Sequence, residues 1–194
     1  LAKYNAPAYA YRISRYQALQ ENIDIELKKL VQEECVISKK HYVDIINEGY
    51  YRSIFNVQKG IGIGFNFSQL DNRTINLILN ENWYKSENFS QRIWKNNNKL
   101  ADYLKSNFLA DNIAGKSIQR MASALDDAMN IGKYNAVRLL RTEINHFANE
   151  AEMLSYEKLD IEKYRFIATL DNVTCKHCAK LDNKIFYLKD KQPR

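Results

Sequence analysis

The chain has 194 residues, a formal net charge of +6 and three cysteines. Its 45% hydrophobic and 12% aromatic residues suffice for a folded core, so the composition favours a folded chain over a disordered one. Three cysteines do not make a disulfide framework, which favours a reducing compartment and a core position for Cys35. No stretch approaches about 18 apolar residues and no signal sequence opens the chain, so we expect a soluble, cytoplasmic protein. Because it starts at Leu1 without methionine and ends abruptly, we expect a piece of a longer protein.

Apolar residues three or four apart predict a helix over residues 8–35. Ser38 is a suitable N-cap for a second helix that ends near residue 58. The apolar stripe of this second helix comprises Tyr42, Ile45, Ile46, Tyr50, Ile54 and Val57. Alternating glycines over residues 60–64 then break the helix and favour a bend, and they match neither phosphate-loop fingerprint.

Further helical patterns follow towards the C-terminus. A short helix is predicted over residues 71–80, and a longer one from an N-cap at Ser90 to about residue 113, where Gly115 ends it. Ser117 starts the next helix, which Gly132 ends after residue 129. The last long helix covers residues 134–159, and its predicted inward positions are Val137, Leu140, Ile144, Phe147, Ala148, Ala151 and Leu154.

After Asp160 the period changes from helical to alternating, which predicts strands over residues 164–170 and 184–188. The predicted fold is therefore mainly α, a bundle of five or six helices with a small C-terminal β-hairpin that looks like a zinc knuckle. The predicted segments are an N-terminal helical pair (1–59), a helical body (60–159) and the knuckle (160–194). We expect the knuckle to dock on the last long helix.

Cys175 and Cys178, separated by two residues and placed between the strands, have the spacing of one half of a tetrahedral zinc site. Such a site needs two more ligands, and His177, His146 and His41 are poor candidates for them. Two thiols in a β-turn explain the pair equally well. A redox function ranks lower, because no βαβ context surrounds the pair.

Asp171 and Asp182 flank the cysteines. Paired carboxylates can hold a metal or act as acid and base. The interpretation we favour is that both are turn residues whose side chains accept hydrogen bonds from backbone amides.

The predicted helix over residues 134–159 carries Glu143, His146 and Glu150 on one face. Di-iron bundles need a second such motif, and the sequence has none. Arg141 and Glu143 are therefore predicted to join a structural polar network, while Arg138 and Arg141 fit a phosphate-facing stripe as well as a solvated surface. A metal-dependent hydrolase using Glu143, His146, Asp171 and Asp182 stays open as an alternative.

Two sets of residues carry a family resemblance over roughly residues 40–190. The first is Arg141-Thr142-Glu143 followed by Ala168-Thr169-Leu170-Asp171-x-x-Thr174-Cys175-x-x-Cys178-x-x-Leu181-Asp182-x-Lys184-x-Phe186. The second comprises Tyr50-Tyr51-Arg52, the stretch from Gln58 to Phe65, Phe89-Ser90-Gln91-Arg92-Ile93-Trp94 and Ile113-Ala114-Gly115-Lys116-Ser117. With these motifs the chain resembles the phage head morphogenesis, or minor head (minor capsid), proteins, which include the Mu F-like proteins.

The resemblance implies a non-enzymatic structural protein of the virion head, made in the host cytoplasm, that acts in procapsid assembly near the portal. Its implied partners are portal, scaffold or coat proteins and, non-specifically, double-stranded DNA. The candidate DNA contacts are Arg138, Arg141, Lys176 and Lys180. Relatives often continue with a histidine and a cysteine that would complete a structural zinc site, and often have glycine where Asn183 stands; Asn tolerates the same left-handed turn. A zinc-knuckle nucleic-acid-binding or nuclease-like module is the alternative function.

Overall fold

The computed structural model describes residues 2–64, 66–113, 116–168, 170 and 176–191. For residues 2–9, 12, 15, 19, 108–113, 118, 121, 122, 125 and 129 it describes the helix and not the side chain. The elements in chain order are α1 (Ala2–Ile61), α2 (Asn72–Leu79), α3 (Phe89–Ile113), α4 (Ile118–Lys158), β1 (Lys163–Arg165), α5 (Lys176–Leu181), β2 (Ile185–Tyr187) and a 3-10 turn (Leu188–Asp190). The predicted class, mainly α with a small C-terminal hairpin, is confirmed. Within these residues, every helix is either too short or too polar to span a bilayer.

Helix α1 continues through the position where the sequence predicts a boundary. Ser38 lies inside the helix with 5% of its surface exposed, so the prediction that it caps a second helix is wrong. Helix propensity is a weak preference, and burial of the helix on both sides of residue 38 overrides it. The predicted stripe holds beyond this point, since Tyr42, Ile46, Tyr50 and Ile54 are all buried.

Helix α4 is also one element where two were predicted. It begins after Ser117, whose hydroxyl accepts a hydrogen bond from the Arg120 amide at 3.4 Å, as expected of an N-cap. Gly132 does not end a helix: a Cβ at this position would lie 3.4 Å from Leu100 Cδ2, so the glycine permits close packing against α3. Val137, predicted to point inward, is 40% exposed, whereas Leu139 is buried.

Helices α2 and α3 each begin at a side-chain cap. Asp71 caps α2 by accepting from the Thr74 amide at 2.7 Å, and hydrogen bonds from the Thr74 amide and hydroxyl lower the pKa of Asp71. At the start of α3, the Asn88 and Gln91 side chains accept from each other's backbone amides at 3.0 and 2.9 Å, which is a capping box. The predicted cap, Ser90, is therefore wrong. The predicted stop at Gly115 lies outside the described residues.

The chain divides into two compact units that interleave in sequence. The first comprises residues 1–39 and 82–140, and so contains α3 and parts of α1 and α4. Its α1 and α3 segments are joined by a hydrogen bond from Asn97 to Glu34 (2.9 Å) and by a Lys105–Asp24 ion pair. Cys35, predicted to be a core residue, is half-buried with its Sγ 3.4 Å from Ser90 Oγ. The buried apolar residues of this unit include Val31, Phe89, Ile93, Ala101, Ala128 and Leu139.

The second unit comprises residues 40–81 and 141–194, and its α1 and α4 segments pack closely. A Cβ placed on Gly49 would lie 3.2 Å from Ala151 Cβ. The rings of Tyr42 and Phe147 lie 4.8 Å apart between centroids. Because α1 and α4 contribute to both units, the units do not follow the predicted segments 1–59, 60–159 and 160–194, which stay a prediction.

Replacement of Gly49 by leucine should destabilise the protein. The new side chain has no space between α1 and α4, and overpacking of this kind costs about 1–3 kcal/mol. The free energy of unfolding from urea titrations measures the change. Gly60→Leu is the matched control, since nothing lies within 4 Å of a Cβ at Gly60. Equal effects of the two substitutions would contradict a packing role for Gly49.

Candidate functional site

The described residues between 160 and 191, here called the knuckle, form a small antiparallel hairpin. Strands β1 and β2 pair with Tyr164 opposite Phe186. The pairing extends beyond the strands through hydrogen bonds from the Phe166 amide to the Lys184 carbonyl (2.9 Å) and from the Leu188 amide to the Glu162 carbonyl (2.9 Å). Two such short strands are marginal on their own and need packing against another element.

That packing comes from the C-terminal end of α4. Met153 of α4 is buried together with Tyr164 and Phe166 of the knuckle. Residues that pack around these three are Tyr156, Ala168, Cys178, Leu181, Phe186 and Leu188. The expected docking of the knuckle on the last long helix is therefore confirmed, and apolar burial within the second unit accounts for it.

Asp182 links the segment after α5 to the segment after β1. Its Oδ1 accepts a hydrogen bond from the Ala168 amide at 2.9 Å, and its Oδ2 accepts one from Asn183 Nδ2 at 3.1 Å. Asn183 has φ = 59°, which is the left-handed turn expected at this position. Asp182 thus bonds a backbone amide, as the turn interpretation requires, but the amide lies fourteen residues earlier in the chain. Asp171 lies outside the described residues.

An ion pair fastens the end of the knuckle to α4. Lys191 Nζ lies 2.6 Å from Glu150 Oε2. Partial burial lowers the pKa of Lys191, but its hydrogen bond to Glu150 and the negative charges of Glu150, Glu81 and Glu157 outweigh burial and raise the pKa above its usual value. Lys191 is therefore cationic at neutral pH and holds Glu150 at the surface of the second unit.

Of the two cysteines of the predicted half-site, the structure describes Cys178. Cys178 lies on α5, a six-residue helix rather than the predicted turn, and packs half-buried against the cluster around Met153. Cys175 lies outside the described residues. Among the described residues, no three His, Cys, Asp or Glu side chains lie together as metal ligands. Cys178 therefore has no zinc ligand set within the described residues, and a structural zinc site stays a prediction.

The Arg141-Thr142-Glu143 motif lies on α4 and places its two charged residues on different faces of the helix. Glu143 is fully buried, with 0% of its surface exposed, whereas Arg141 is exposed. Positions two apart on a helix point about 200° apart, so the two side chains do not face each other. Of the other residues of the hydrolase alternative, His146 is half-buried on α4 and Asp182 is bound to the Ala168 amide.

The four candidate DNA contacts are all exposed. Arg138 belongs to the first unit, whereas Arg141, Lys176 and Lys180 belong to the second. Lys176 and Lys180 lie on α5, one helical turn apart. Lys176 and Lys180 therefore form one candidate surface on α5.

The outer face of the hairpin forms a second basic surface that was not predicted from the sequence. The register places Lys163 beside Tyr187 and Arg165 beside Ile185, with all four side chains exposed. Lys163 Nζ and Lys189 Nζ lie 4.7 and 5.4 Å from the Tyr187 ring centroid. The sequence could have predicted this surface, because Lys163 and Arg165 are two apart on one predicted segment and residues two apart on a strand share one face.

Comparison with known proteins gives one family. The family model described as Phage Mu protein F like protein matches residues 106–194, which include the whole of α4 and the knuckle. The sequence-based resemblance is thereby confirmed for these residues, while its extension to residues 40–105 stays a prediction. No curated protein and no solved structure matches the chain.

Replacement of Asp182 by alanine should loosen the knuckle without unfolding the remainder of the second unit. It removes the acceptor for the half-buried Ala168 amide, and such a loss costs about 1–3 kcal/mol. Hydrogen exchange of the Ala168 amide should accelerate by about tenfold or more. Glu162→Ala, which removes an exposed carboxylate nearby, is the control. Unchanged exchange at Ala168 would show that Asp182 does not hold the chain.

Proposed function

We propose, from the match of residues 106–194 to the family model of the phage Mu protein F-like proteins, that this protein acts as a structural component near the portal during head assembly. Because that family is one of phage head morphogenesis, we assign the protein to the virion head as part of this proposal. The match to α4 and the knuckle is the single observation that carries the proposal. We place the protein in the cytoplasm of the infected host before it enters the particle.

A structural role rather than a catalytic one fits the hydrogen bonds that the carboxylates of the knuckle and of α4 make. Asp182 binds a backbone amide and Glu150 binds Lys191, so each serves to fasten chain segments together. An acid–base pair needs a carboxylate within reach of a reacting proton. The hydrogen bonds of Asp182 and Glu150 direct these carboxylates towards the chain itself.

The partners we propose are the portal, scaffold or coat proteins of the same phage. The outer face of the hairpin offers an exposed aliphatic side chain and an aromatic ring, Ile185 (60% exposed) and Tyr187 (48% exposed), next to Lys163 and Arg165. Aromatic and arginine side chains are enriched in protein interfaces. This face therefore suits a protein partner with apolar and acidic groups.

Procapsids purified from infected cells test the proposed place in the head. We expect the protein in procapsids, at few copies per particle, and its loss from particles made without portal protein. Quantitative mass spectrometry of both particle types gives the measurement. Particles that retain the protein without portal would contradict the portal location, and absence from procapsids and virions would contradict a structural role altogether.

Contact with double-stranded DNA is the second proposal, and the two basic surfaces of the second unit favour it. Lys163 and Arg165 on the hairpin, and Lys176 and Lys180 on α5, are exposed cations of the kind that bind phosphates. Binding through phosphates alone carries no sequence specificity and weakens steeply with salt.

Neutralising these cations should weaken DNA binding according to how many phosphates they bind. Lys163→Gln/Arg165→Gln and Lys176→Gln/Lys180→Gln should each lower the affinity for duplex DNA. The slope of log affinity against log salt should fall by about 0.9 for each phosphate that the variant no longer neutralises. Fluorescence anisotropy over a salt series measures both quantities. Lys39→Gln/Lys40→Gln, which removes two exposed cations from α1, is the matched control; equal losses of affinity in all three variants would attribute binding to net charge alone.

A further inference from the structure

The side of strand β1 that faces away from β2, here called the β1 edge, carries open backbone groups. The hydrogen bonds of the hairpin join residue 162 to 188 and residue 166 to 184, so the alternate residues Lys163 and Arg165 make no ladder bond with β2. The N–H and C=O groups of both residues point outward from the hairpin. Within the described part of the chain, no hydrogen bond reaches these groups. An open strand edge is a template for a further strand.

A cavity of about 240 Å³ lies beside the β1 edge, within the second unit. It is lined by the residues of β1 and by Val57, Glu152, Met153, Tyr156 and Ile161. A strand added to β1 would alternate its side chains between the outer face of the hairpin and the face towards α4, where Tyr164 borders the cavity. The volume is below the roughly 300–1,000 Å³ of pockets for small molecules, and it suits an inserted side chain better.

The side chains on the outer face of β1 determine which charge an added strand should carry. Lys163 and Arg165 are both exposed on this face. Lys163 Nζ lies 4.7 Å from the Tyr187 ring centroid, a contact with the ring face that leaves N–H donors of the ammonium group for a carboxylate. Opposite charges paired across neighbouring strands stabilise a sheet, whereas like charges destabilise it. The residues that pair with Lys163 and Arg165 should therefore be acidic.

We infer that the β1 edge binds an extended acidic segment of a partner protein as a third, antiparallel strand. Two acidic residues of the segment pair with Lys163 and Arg165 and exchange backbone hydrogen bonds with them. The residue between the two acids lies opposite Tyr164, and its apolar side chain enters the cavity. The segment recognised is therefore acidic, apolar and acidic in alternation.

The charges of β1 favour this partner over a second copy of the chain and over DNA. Two β1 edges paired antiparallel about Tyr164 would place Lys163 opposite Arg165 of the second copy, so like charges would meet. The phosphates of DNA would attract both cations but would leave the cavity unused. The inference deepens the proposed contact with a head protein, and it rests on that proposal for the kind of partner.

Hydrogen exchange in the full chain tests where the segment binds. The probe is a short capped peptide in which glutamate alternates with valine. With the peptide bound, the Lys163 and Arg165 amides should exchange about tenfold or more slowly, because both N–H groups become hydrogen-bonded. The Ile185 and Tyr187 amides, on the opposite edge of the hairpin, should exchange as before.

Three outcomes of this measurement overturn the inference. The first is absence of binding at about 2 mM peptide. The second is binding with unchanged exchange at Lys163 and Arg165, which would assign the peptide to the side chains of the outer face. The third is equal protection of these two amides by duplex DNA. None of these outcomes changes the protein content of procapsids, so failure of the inference and failure of the proposed head role are distinguishable.

Methylated peptides test the backbone pairing. In an antiparallel pair the glutamate amides face β1 and the valine amides face away from it. N-Methylation of the glutamate amides should therefore weaken binding by about tenfold or more. N-Methylation of the valine amides is the matched control and should have a smaller effect. Fluorescence anisotropy gives the dissociation constants, and equal binding of all three peptides would contradict strand addition.

Charge reversal tests whether the two cations select the segment. Lys163→Glu/Arg165→Glu should weaken binding of the glutamate peptide by about tenfold or more and should favour a peptide with lysine in place of glutamate. Lys39→Glu/Lys40→Glu changes the net charge equally on α1 and should bind the glutamate peptide as the unmodified chain does. Circular dichroism checks that both variants stay folded. Equal losses of affinity in the two variants would contradict selection by Lys163 and Arg165.

Discussion

The close approach of α1 and α4 at Gly49 is the constraint on which the second unit depends. The absent side chain lets Ala151 and the Ala148 backbone come near α1, with a Cβ-to-Cβ distance of only 3.2 Å if residue 49 had one. At this separation Ser155 Oγ lies within hydrogen-bond distance of Ser53 Oγ (2.6 Å) and of the Glu152 carbonyl oxygen (2.7 Å), so these buried hydroxyls are hydrogen-bonded within the protein. The knuckle packs on Met153, two residues from Ala151 on the same helix, so α4 contributes to both the contact with α1 and the contact with the hairpin.

Much of the helical structure follows from local patterns in the sequence. The apolar period around Tyr42 and Ile46, and the cap at Ser117, are visible without any knowledge of the fold. The predicted breaks at Ser38 and Gly132 were wrong for a shared reason. Both residues are weak helix formers in isolation, yet each lies where another part of the structure covers the helix. Tertiary packing there outweighs a propensity difference of about 1 kcal/mol or less.

The candidate site shows where local patterns stop being informative. That Asp182 binds a backbone amide follows from its position in a turn sequence, but its partner at Ala168 depends on how the hairpin closes. The outer face of the hairpin follows from the two-residue period of strands, once the register between Arg165 and Ile185 is known. The exposure of Val137 did not follow from its period, because an apolar residue on a helix face marks a partner as readily as a core.

The interleaving of the two units imposes an order on folding during synthesis. The first unit has all its segments once residue 140 has emerged from the ribosome. The second unit must wait, because Ser53 lies 102 positions before its partner Ser155. Residues 40–81 therefore stay without their packing partners from α4 until residues 141–158 have been synthesised. Surfaces of the second unit, including the knuckle, therefore form only after every segment of the first unit has been synthesised, and a partner that binds them meets a chain in which the first unit can already be folded.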